Sequence, residues 1–330
     1  VLLLVVHHIA ADGWSLFQML DELRALYAEQ TGGPAAALPR SRFEYKDYAA
    51  WQDQMLAGDE GRRYADYWRE NLKAPRVELD LPTDRHRLPR RSGRGASHVF
   101  PLDAKLSAAA RDLARGEGTT LFVVLLAAFK VLLHRLARTS DVIVGAPAFG
   151  RSNPDFATVI GDFVNIVVLR SHVDASDSFR TLLATVRETQ LGALAAQEYP
   201  FPKLVEDLLP TRDPGRSPFF ETFFILQRFD QLRELAPVLS TLGGDAVIDF
   251  GGLLLQHYPL DQQLGQFDLT MQCVDSGGAL TAQFKFSTDL FDLATIERWS
   301  AQYIELLRRA TASPSARIDE LLVGDCDAAA

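Results

Sequence analysis

The apolar and polar positions of this chain follow two different periods, which predict both strands and helices. Residues 1–6 are all apolar and rich in Val and Leu, so we interpret them as a strand buried on both faces. Apolar residues then recur on one stripe of 16–30, which predicts an amphipathic helix. Asp12 or Ser15 is suited to cap the first turn of that helix.

Further along the chain, helical and strand-like segments are interspersed, which is typical of an α/β fold. Helical periodicity is found at 45–52, 64–72, 103–116, 119–137, 178–196, 203–208 and 294–310. Strands are predicted at 96–102, 141–147, 160–170, 221–227, 250–258, 266–273 and 280–287, the last two forming a hairpin around a turn at 275–278. The aromatic residues of 45–52 recur at helical spacing, so we interpret them as core.

One Pro- and Arg-rich segment, 74–95, interrupts these patterns and marks the best linker and domain boundary. Its arginines could contact a partner, but a solvated crossover is the favoured interpretation. The segment 228–247 has no regular pattern.

Composition excludes several classes of function. The chain has 330 residues, of which 47% are hydrophobic and 23% charged, so it can bury a sizeable core. A net charge of −9 argues against a nucleic-acid partner. The apolar runs 1–6 and 121–133 are too short to span a bilayer, and we expect no signal peptide. Cys273 and Cys326 form no spacing motif, which fits a cytoplasmic protein.

The candidate chemistry lies directly after the first apolar run, at His7, His8 and Asp12. Alternation along a strand would send the two histidines to opposite faces, which argues against a shared metal ion. A neutral imidazole can accept a proton near neutral pH. Asp12, followed by Gly13, could hold the local backbone or pair with a cation. The alternative is one buried histidine, one exposed histidine and a capping aspartate, and the motif alone does not decide between them.

Residues 7–15, HHIAADGWS, resemble the HHxxxDG signature of condensation domains of non-ribosomal peptide synthetases and of the wider chloramphenicol acetyltransferase superfamily. Four later segments resemble family motifs in family order. Residues 45–52 are similar to YxDFAxWQ, 160–170 to IGxFVNxxxLR, 196–201 to HQDxPF, and 212–220 to RDxSRxPLF. Two positions depart from the family, since Ala196 replaces a histidine and Gly215 replaces a serine.

The resemblance implies two chloramphenicol-acetyltransferase-like α/β lobes in a V arrangement, with most of the first lobe missing. We therefore expect 1–75 to be the remnant of the first lobe, 76–95 a crossover linker, 96–325 the second lobe, and 326–330 the start of an inter-domain linker. Because the family's cleft is built from both lobes, we expect residues 1–330 alone to have weak activity or none.

The resemblance also implies amide-bond formation between a donor thioester and the amine of an acceptor aminoacyl thioester. His8 would deprotonate or position the amine, His7 would be structural, and Gly13 would let the acceptor arm pass. Asp12 would hold the motif in shape by pairing with Arg151. The candidates for lining the substrate channel are Trp14, Ser15, Asn165, Arg212 and Arg216.

No metal and no cofactor of the domain itself are implied. The substrates would arrive on the 4'-phosphopantetheine arms of an upstream donor and a downstream acceptor carrier protein, beside an adenylation domain. The alternatives are an epimerisation domain, a stand-alone acyltransferase of the same superfamily, and a non-catalytic docking domain.

Overall fold

The computed structural model describes residues 3–73, 78–209, 213–228, 247–258, 264–275 and 277–322. The first described residues form no strand, so the prediction of a buried strand over 1–6 is wrong for residues 3–6. Leu3 is 70% exposed and Val5 is 80% exposed. An apolar run becomes a core strand only where other strands pair with its backbone, and none of the described strands pairs with this segment.

Three helices follow: α1 (Gly13–Gln30), α2 (Tyr45–Ala57) and α3 (Asp59–Asn71). Asp12 caps α1, since its carboxylate accepts a hydrogen bond from the backbone N–H of Ser15 at 2.7 Å. The stripe predicted on α1 is only partly covered, because Leu23 and Leu26 remain exposed. Trp68 of α3 is fully buried and donates from its indole to the carbonyl of Ala196.

The remaining chain builds a six-stranded mixed sheet and a separate two-stranded hairpin. The strands are β1 (Gly95–Leu102), β2 (Asp141–Ala148), β3 (Asn165–His172), β4 (Thr222–Arg228), β5 (Val247–Phe250), β6 (Leu253–Gln256), β7 (Leu269–Asp275) and β8 (Leu280–Ser287). The order in the large sheet is β1-β8-β7-β4-β2-β3, with β2/β4 and β4/β7 parallel and the other neighbours antiparallel. The hairpin predicted from the alternation at 266–287 is confirmed as β7 and β8.

The helices that follow β1 in the chain pack beside the sheet. They are α4 (Ala104–Gly116), α5 (Leu121–Ala137), α6 (Phe179–Ala195), α7 (Phe201–Leu208), α8 (Leu293–Ala312) and α9 (Ile318–Leu321). Helix α5 lies in the hydrophobic core, because every residue from 123 to 133 is buried. Its Phe129 ring lies against Phe224 of β4 and Phe284 of β8. These elements have the core of a mixed α/β fold, as the periodicities predict.

One prediction about the connecting segments is confirmed in part and another needs correction. Most of 78–94 is exposed, as expected of a solvated crossover, but the segment is anchored to the fold, since Leu79 and Leu81 are buried and Arg87 forms an ion pair with the buried Asp268. The segment 250–258 is not a single strand. A tight turn at Gly251 separates β5 from β6, which pair with each other as a hairpin.

Within the described ranges, we find no single helix with the length and apolar character needed to cross a membrane. Helices α4 and α5 meet those criteria only as a pair, which is bent by 108°.

Candidate functional site

The site is organised around an ion pair between Asp12, at the start of α1, and Arg151, which follows β2. One guanidinium nitrogen of Arg151 lies 3.2 Å from each carboxylate oxygen of Asp12. Both side chains are almost completely buried, with 5% of Arg151 and 1% of Asp12 exposed. The ion pair predicted between these residues is therefore present. It joins chain segments that are 139 positions apart.

Arg151 also organises the loop that follows it. Its other terminal nitrogen donates to the carbonyls of Phe156 and Val159, each at 2.8 Å. Its guanidinium carbon stands 3.9 Å above the centre of the Phe163 ring. A planar cation with several donors can fill such a position, whereas a lysine offers a single compact charge. Arg151 therefore fixes the loop and Asp12 in one arrangement.

The loop between Val159 and β3 is attached to the start of α1 by four hydrogen bonds. Asp12 N–H donates to the carbonyl of Gly161 at 2.9 Å, and Phe163 N–H donates to the Asp12 carboxylate at 3.2 Å. The Ser15 hydroxyl donates to the carbonyl of Gly161 at 2.9 Å and accepts from its N–H at 3.1 Å. A side chain at Gly161 is impossible without rearrangement, because a Cβ there would lie 2.1 Å from the Tyr45 ring. We call residues 159–163 the clamp loop.

The two histidines stand beside this assembly on a turn, not on a strand. His7 Nδ1 accepts a hydrogen bond from the backbone N–H of Ile9 at 3.2 Å, so His7 shapes the turn. The His8 side chain is 69% exposed, and its Nδ1 lies 3.3 Å from Asp162 Oδ1 in the clamp loop. The strand alternation used to separate the histidines is therefore absent. Both histidines are exposed, but their surroundings differ, because His7 Nδ1 is bonded to the local backbone whereas His8 Nδ1 faces Asp162.

Gly13 and Trp14 border the open side of the motif. A Cβ at Gly13 would meet no atom within 4 Å, so the backbone faces open space there. The Trp14 indole donates to the carbonyl of Ala157 at 3.1 Å, and its ring lies edge-on to Phe149 at a centroid distance of 5.9 Å. Phe149 is 63% exposed, so this pair presents an aromatic surface next to the motif.

The other predicted channel residues have structural contacts. Ser15 has no exposed surface, so the prediction that it lines a channel is wrong, because its hydroxyl joins Gly161 and Arg151. Asn165 uses its whole amide on the 197–201 backbone. It donates to the carbonyls of Gln197 and Tyr199 at 2.7 Å and accepts from Phe201 N–H at 2.9 Å.

Arg216 is similarly engaged, with ion pairs to Glu78 at 3.1 Å and Glu221 at 3.3 Å. Burial, followed by the charge of Asp268, raises the pKa of Glu221 despite that arginine. Arg212 lies outside the described residues.

Two of the aromatic residues of α2, Tyr48 and Trp51, belong to a small core, which confirms their interpretation from helical spacing, whereas Tyr45 is 38% exposed. Tyr48 is buried against Phe156, Val159 and Phe163. Tyr45 reaches further, since its hydroxyl donates to the carbonyl of Asp162 at 2.6 Å. Burial, followed by the charges of Asp162 and Asp12, raises the pKa of Tyr45.

Sequence reasoning missed two residues of this site, Asp162 and the Tyr45 hydroxyl. Asp162 occupies the unspecified position of the IGxFVN pattern, so the pattern gave no signal for it. Among the described residues, no three His, Cys, Asp or Glu side chains are grouped so that they could hold a metal ion.

Comparison with known proteins shows the family of this chain. The profile of the condensation domain family matches residues 1–328, so the chain belongs to that family.

Its relatives are peptide synthetases. One linear gramicidin synthase subunit of Brevibacillus parabrevis is 38% identical over 316 residues, which is 95% of this chain and 4% of that protein. One plipastatin synthase subunit of Bacillus subtilis (strain 168) is 35% identical over 321 residues, which is 97% of this chain and 12% of that protein. The chain thus spans a small part of these curated relatives.

Solved structures show the same mixed α/β fold. A four-domain nonribosomal peptide synthetase bound to AMP and glycine matches with a TM-score of 0.85 and 26% identity, covering 97% of this chain and 24% of that one. The X-domain from teicoplanin biosynthesis matches with a TM-score of 0.81 and 23% identity, covering 95% of this chain and 69% of that one. At 23% identity, the match to the X-domain shows a similarity of fold alone.

Proposed function

We propose that this chain catalyses amide-bond formation between a donor acyl or peptidyl thioester and the amine of an acceptor aminoacyl thioester. The observation that carries the proposal is the open imidazole of His8 beside a rigid assembly. The Asp12–Arg151 pair and the clamp loop hold the turn, while the His8 side chain is 69% exposed to an incoming substrate.

In the proposed step, the acceptor amine attacks the carbonyl carbon of the donor thioester and a C–N bond forms. The proton lost from the amine nitrogen passes to Nε2 of His8. The tetrahedral intermediate then collapses, the C–S bond breaks, and the thiolate leaves with the bonding electron pair. That thiolate recovers the proton from the imidazolium. Direct transfer of this kind needs no acyl-enzyme and no serine or cysteine nucleophile.

Other residues have supporting roles in this proposal. Gly13 leaves space for the phosphopantetheine arm of the acceptor, and the aromatic surface of Trp14 and Phe149 borders the approach. His7 keeps the turn in shape through its bond to Ile9. The partners would be an upstream donor and a downstream acceptor carrier protein, with an adjacent adenylation domain, in the cytoplasm.

The lobe assignment is part of the same proposal. Residues 1–75 would belong to a first chloramphenicol-acetyltransferase-like lobe and 96–325 to a second lobe, with 76–95 crossing between them. The buried ion pair from Asp12 to Arg151 would then join the two lobes at the catalytic motif.

The test is a reconstitution with loaded carrier proteins. Donor and acceptor carriers are mixed with the full-length product of the gene that encodes this chain, and the mass of the acceptor-bound species is followed. We expect a gain equal to the donor acyl group that the His8→Ala variant loses. Absence of that gain with every cognate pair, while the carriers still bind, would contradict the proposal.

The same assay separates the alternatives. In D2O, deuterium at the α-carbon without chain lengthening would indicate epimerisation. Acylation of a free amine or alcohol, but not of a carrier-bound one, would indicate a stand-alone acyltransferase. Carrier or enzyme binding with neither reaction would indicate a docking domain.

A further inference from the structure

Asp162 in the clamp loop faces the imidazole of His8, and neither the family motif nor the proposed reaction gives it a role. We propose that Asp162 is a positioning residue whose carboxylate keeps the proton of neutral His8 on Nδ1, so that Nε2 carries the free lone pair. This inference rests on the proposed function, because it concerns the base of that reaction.

Asp162, rather than Asp12, is available to His8. Both oxygens of Asp12 are already engaged by Arg151. In addition, Oδ1 accepts from Ser15 N–H and Oδ2 accepts from Phe163 N–H. A carboxylate with this set of donors is a structural anchor. The aspartate of the HHxxxDG motif therefore holds the backbone, and a different carboxylate meets the histidine.

Asp162 Oδ1 lacks a hydrogen-bond donor that His8 can supply. This oxygen is shielded from solvent, yet no group in the described ranges donates a well-aligned hydrogen bond to it. A buried acceptor without a donor is costly, so native structures rarely contain one. Nδ1 of His8 lies 3.3 Å away, just beyond the usual upper limit of about 3.2 Å.

Of the two side chains, that of His8 can move more easily than that of Asp162. Asp162 is held in place, because its carbonyl accepts from Tyr45 and its neighbours Gly161 and Phe163 are bonded to Asp12. The His8 ring is mostly exposed, and the described part of the chain gives it no other side-chain hydrogen bond. A small rotation of the ring therefore completes the bond. Catalytic hydrogen bonds are often long before the substrate binds.

The hydrogen bond to Asp162 determines which ring nitrogen of His8 can act as the base. The hydrogen bond made by one ring nitrogen of a histidine decides which nitrogen carries the proton. With Nδ1–H donating to Asp162, Nε2 is left as the acceptor for the proton of the attacking amine. The same carboxylate stabilises the imidazolium that forms when Nε2 takes that proton, until the leaving thiolate removes it.

The direct test is the tautomer of His8 in the intact chain. The ¹⁵N shifts of the ring nitrogens are recorded near pH 9, where histidines of ordinary basicity are neutral, and the His8→Ala variant assigns the signals. We expect Nδ1–H to predominate in the wild-type chain. Asp162→Ala should shift the ratio roughly tenfold toward Nε2–H, as loss of one charge-assisted hydrogen bond implies. Asp162→Asn keeps an acceptor but loses the charge, so an intermediate ratio is expected.

The matched control is Asp155→Ala, which removes an exposed carboxylate from the preceding loop and should leave the His8 signals unchanged. If wild type and Asp162→Ala have the same tautomer ratio, the inference is overturned. If Asp162→Ala is poorly folded, Asp162→Asn, which preserves size, decides the question on the same readout.

The activity of the full-length protein separates this inference from the function on which it rests. In the carrier assay we expect Asp162→Ala to lower kcat at least tenfold with little change in KM, and Asp155→Ala to have no effect. Unchanged kcat in Asp162→Ala, with an active wild type, would overturn the positioning role and leave amide formation intact. An inactive wild type whose His8 tautomer depends on Asp162 would instead count against the proposed function.

Discussion

At the scale of single residues, the site depends on one buried charge pair with little redundancy. Asp12 is 1% exposed and Arg151 is 5% exposed, so neither charge is solvated by bulk water. Each charge is tolerated because the other is present and because backbone groups and the Ser15 hydroxyl satisfy most of the remaining donors and acceptors, although Arg151 Nε has no hydrogen-bond partner among the described residues. Removal of one partner leaves the other both buried and uncompensated.

We therefore expect Asp12→Asn to lower the free energy of unfolding by about 3–5 kcal/mol in urea denaturation. The matched control is Asp21→Asn in the same helix, because Asp21 pairs with Arg24 but has 53% of its side chain exposed. Asp21→Asn should lower the free energy of unfolding by less than about 1 kcal/mol. Equal effects of the two substitutions would show that the buried pair does not hold the segments together.

Gly150 provides a second test at this scale. Its backbone is left-handed, with φ of +62°, and a Cβ there would lie 1.7 Å from the carbonyl oxygen of Phe163. Gly118 is also left-handed, with φ of +60°, but has no atom within 4 Å of a Cβ. We therefore expect Gly118→Ala to lower the free energy of unfolding only by the conformational strain of a left-handed alanine, about 1–2 kcal/mol.

In urea denaturation, Gly150→Ala should lower the free energy of unfolding clearly more than Gly118→Ala does, because its methyl group also displaces the clamp loop. Equal losses at the two glycines would contradict the close approach of Gly150 to Phe163.

At the scale of elements, α5 is joined to β3, and through the carbonyl of Val142 at 3.4 Å to β2, by Lys130, which has no exposed surface. Lys130 Nζ donates to the carbonyl of Leu169 at 2.7 Å and to the Ser171 hydroxyl at 2.8 Å. Burial, opposed by the charge of Asp141, lowers the pKa of Lys130 to about 7. Between that value and the ordinary lysine pKa of about 10.4, the unfolded chain binds the proton and the folded chain releases it.

Stability should therefore rise with pH through this window, by up to about 1.4 kcal/mol per unit, and should fall as pH decreases toward 7. Lys130→Met removes the titrating group while filling the same space. We expect its unfolding free energy, measured in urea between pH 7 and 8.5, to lack this component of the slope. Parallel pH profiles for wild type and Lys130→Met would contradict the buried neutral lysine.

The elements also show what local sequence can predict. The β7–β8 hairpin and α4 to α6 follow their periodicity, because alternation and capping residues act over a few positions. The apolar run at 3–6 misled the same reasoning, since a strand needs partners that the run itself does not specify. At 250–258, the turn at Gly251 divided a segment that an apolar count treats as one strand.

At the scale of the whole molecule, the site combines segments that are distant in sequence. The Asp12–Arg151 pair could be predicted because the family pattern contains both positions. Ser15 could not be identified as a buried anchor, because its partner Gly161 lies 146 positions away. Asp162 was missed for the same reason, since its importance depends on which side chain the folded loop faces.

The catalytic role of His8 is tested most sharply by comparing His8→Ala with His7→Ala in the carrier assay, using the full-length protein. Because the exposed His8 ring is the proposed base, we expect kcat to fall by about 10²–10⁴ in His8→Ala. His7→Ala should lose far less, because His7 only supports the turn through Ile9. A larger loss for His7→Ala, or unchanged kcat for His8→Ala, would contradict the assignment of His8 as the reacting base.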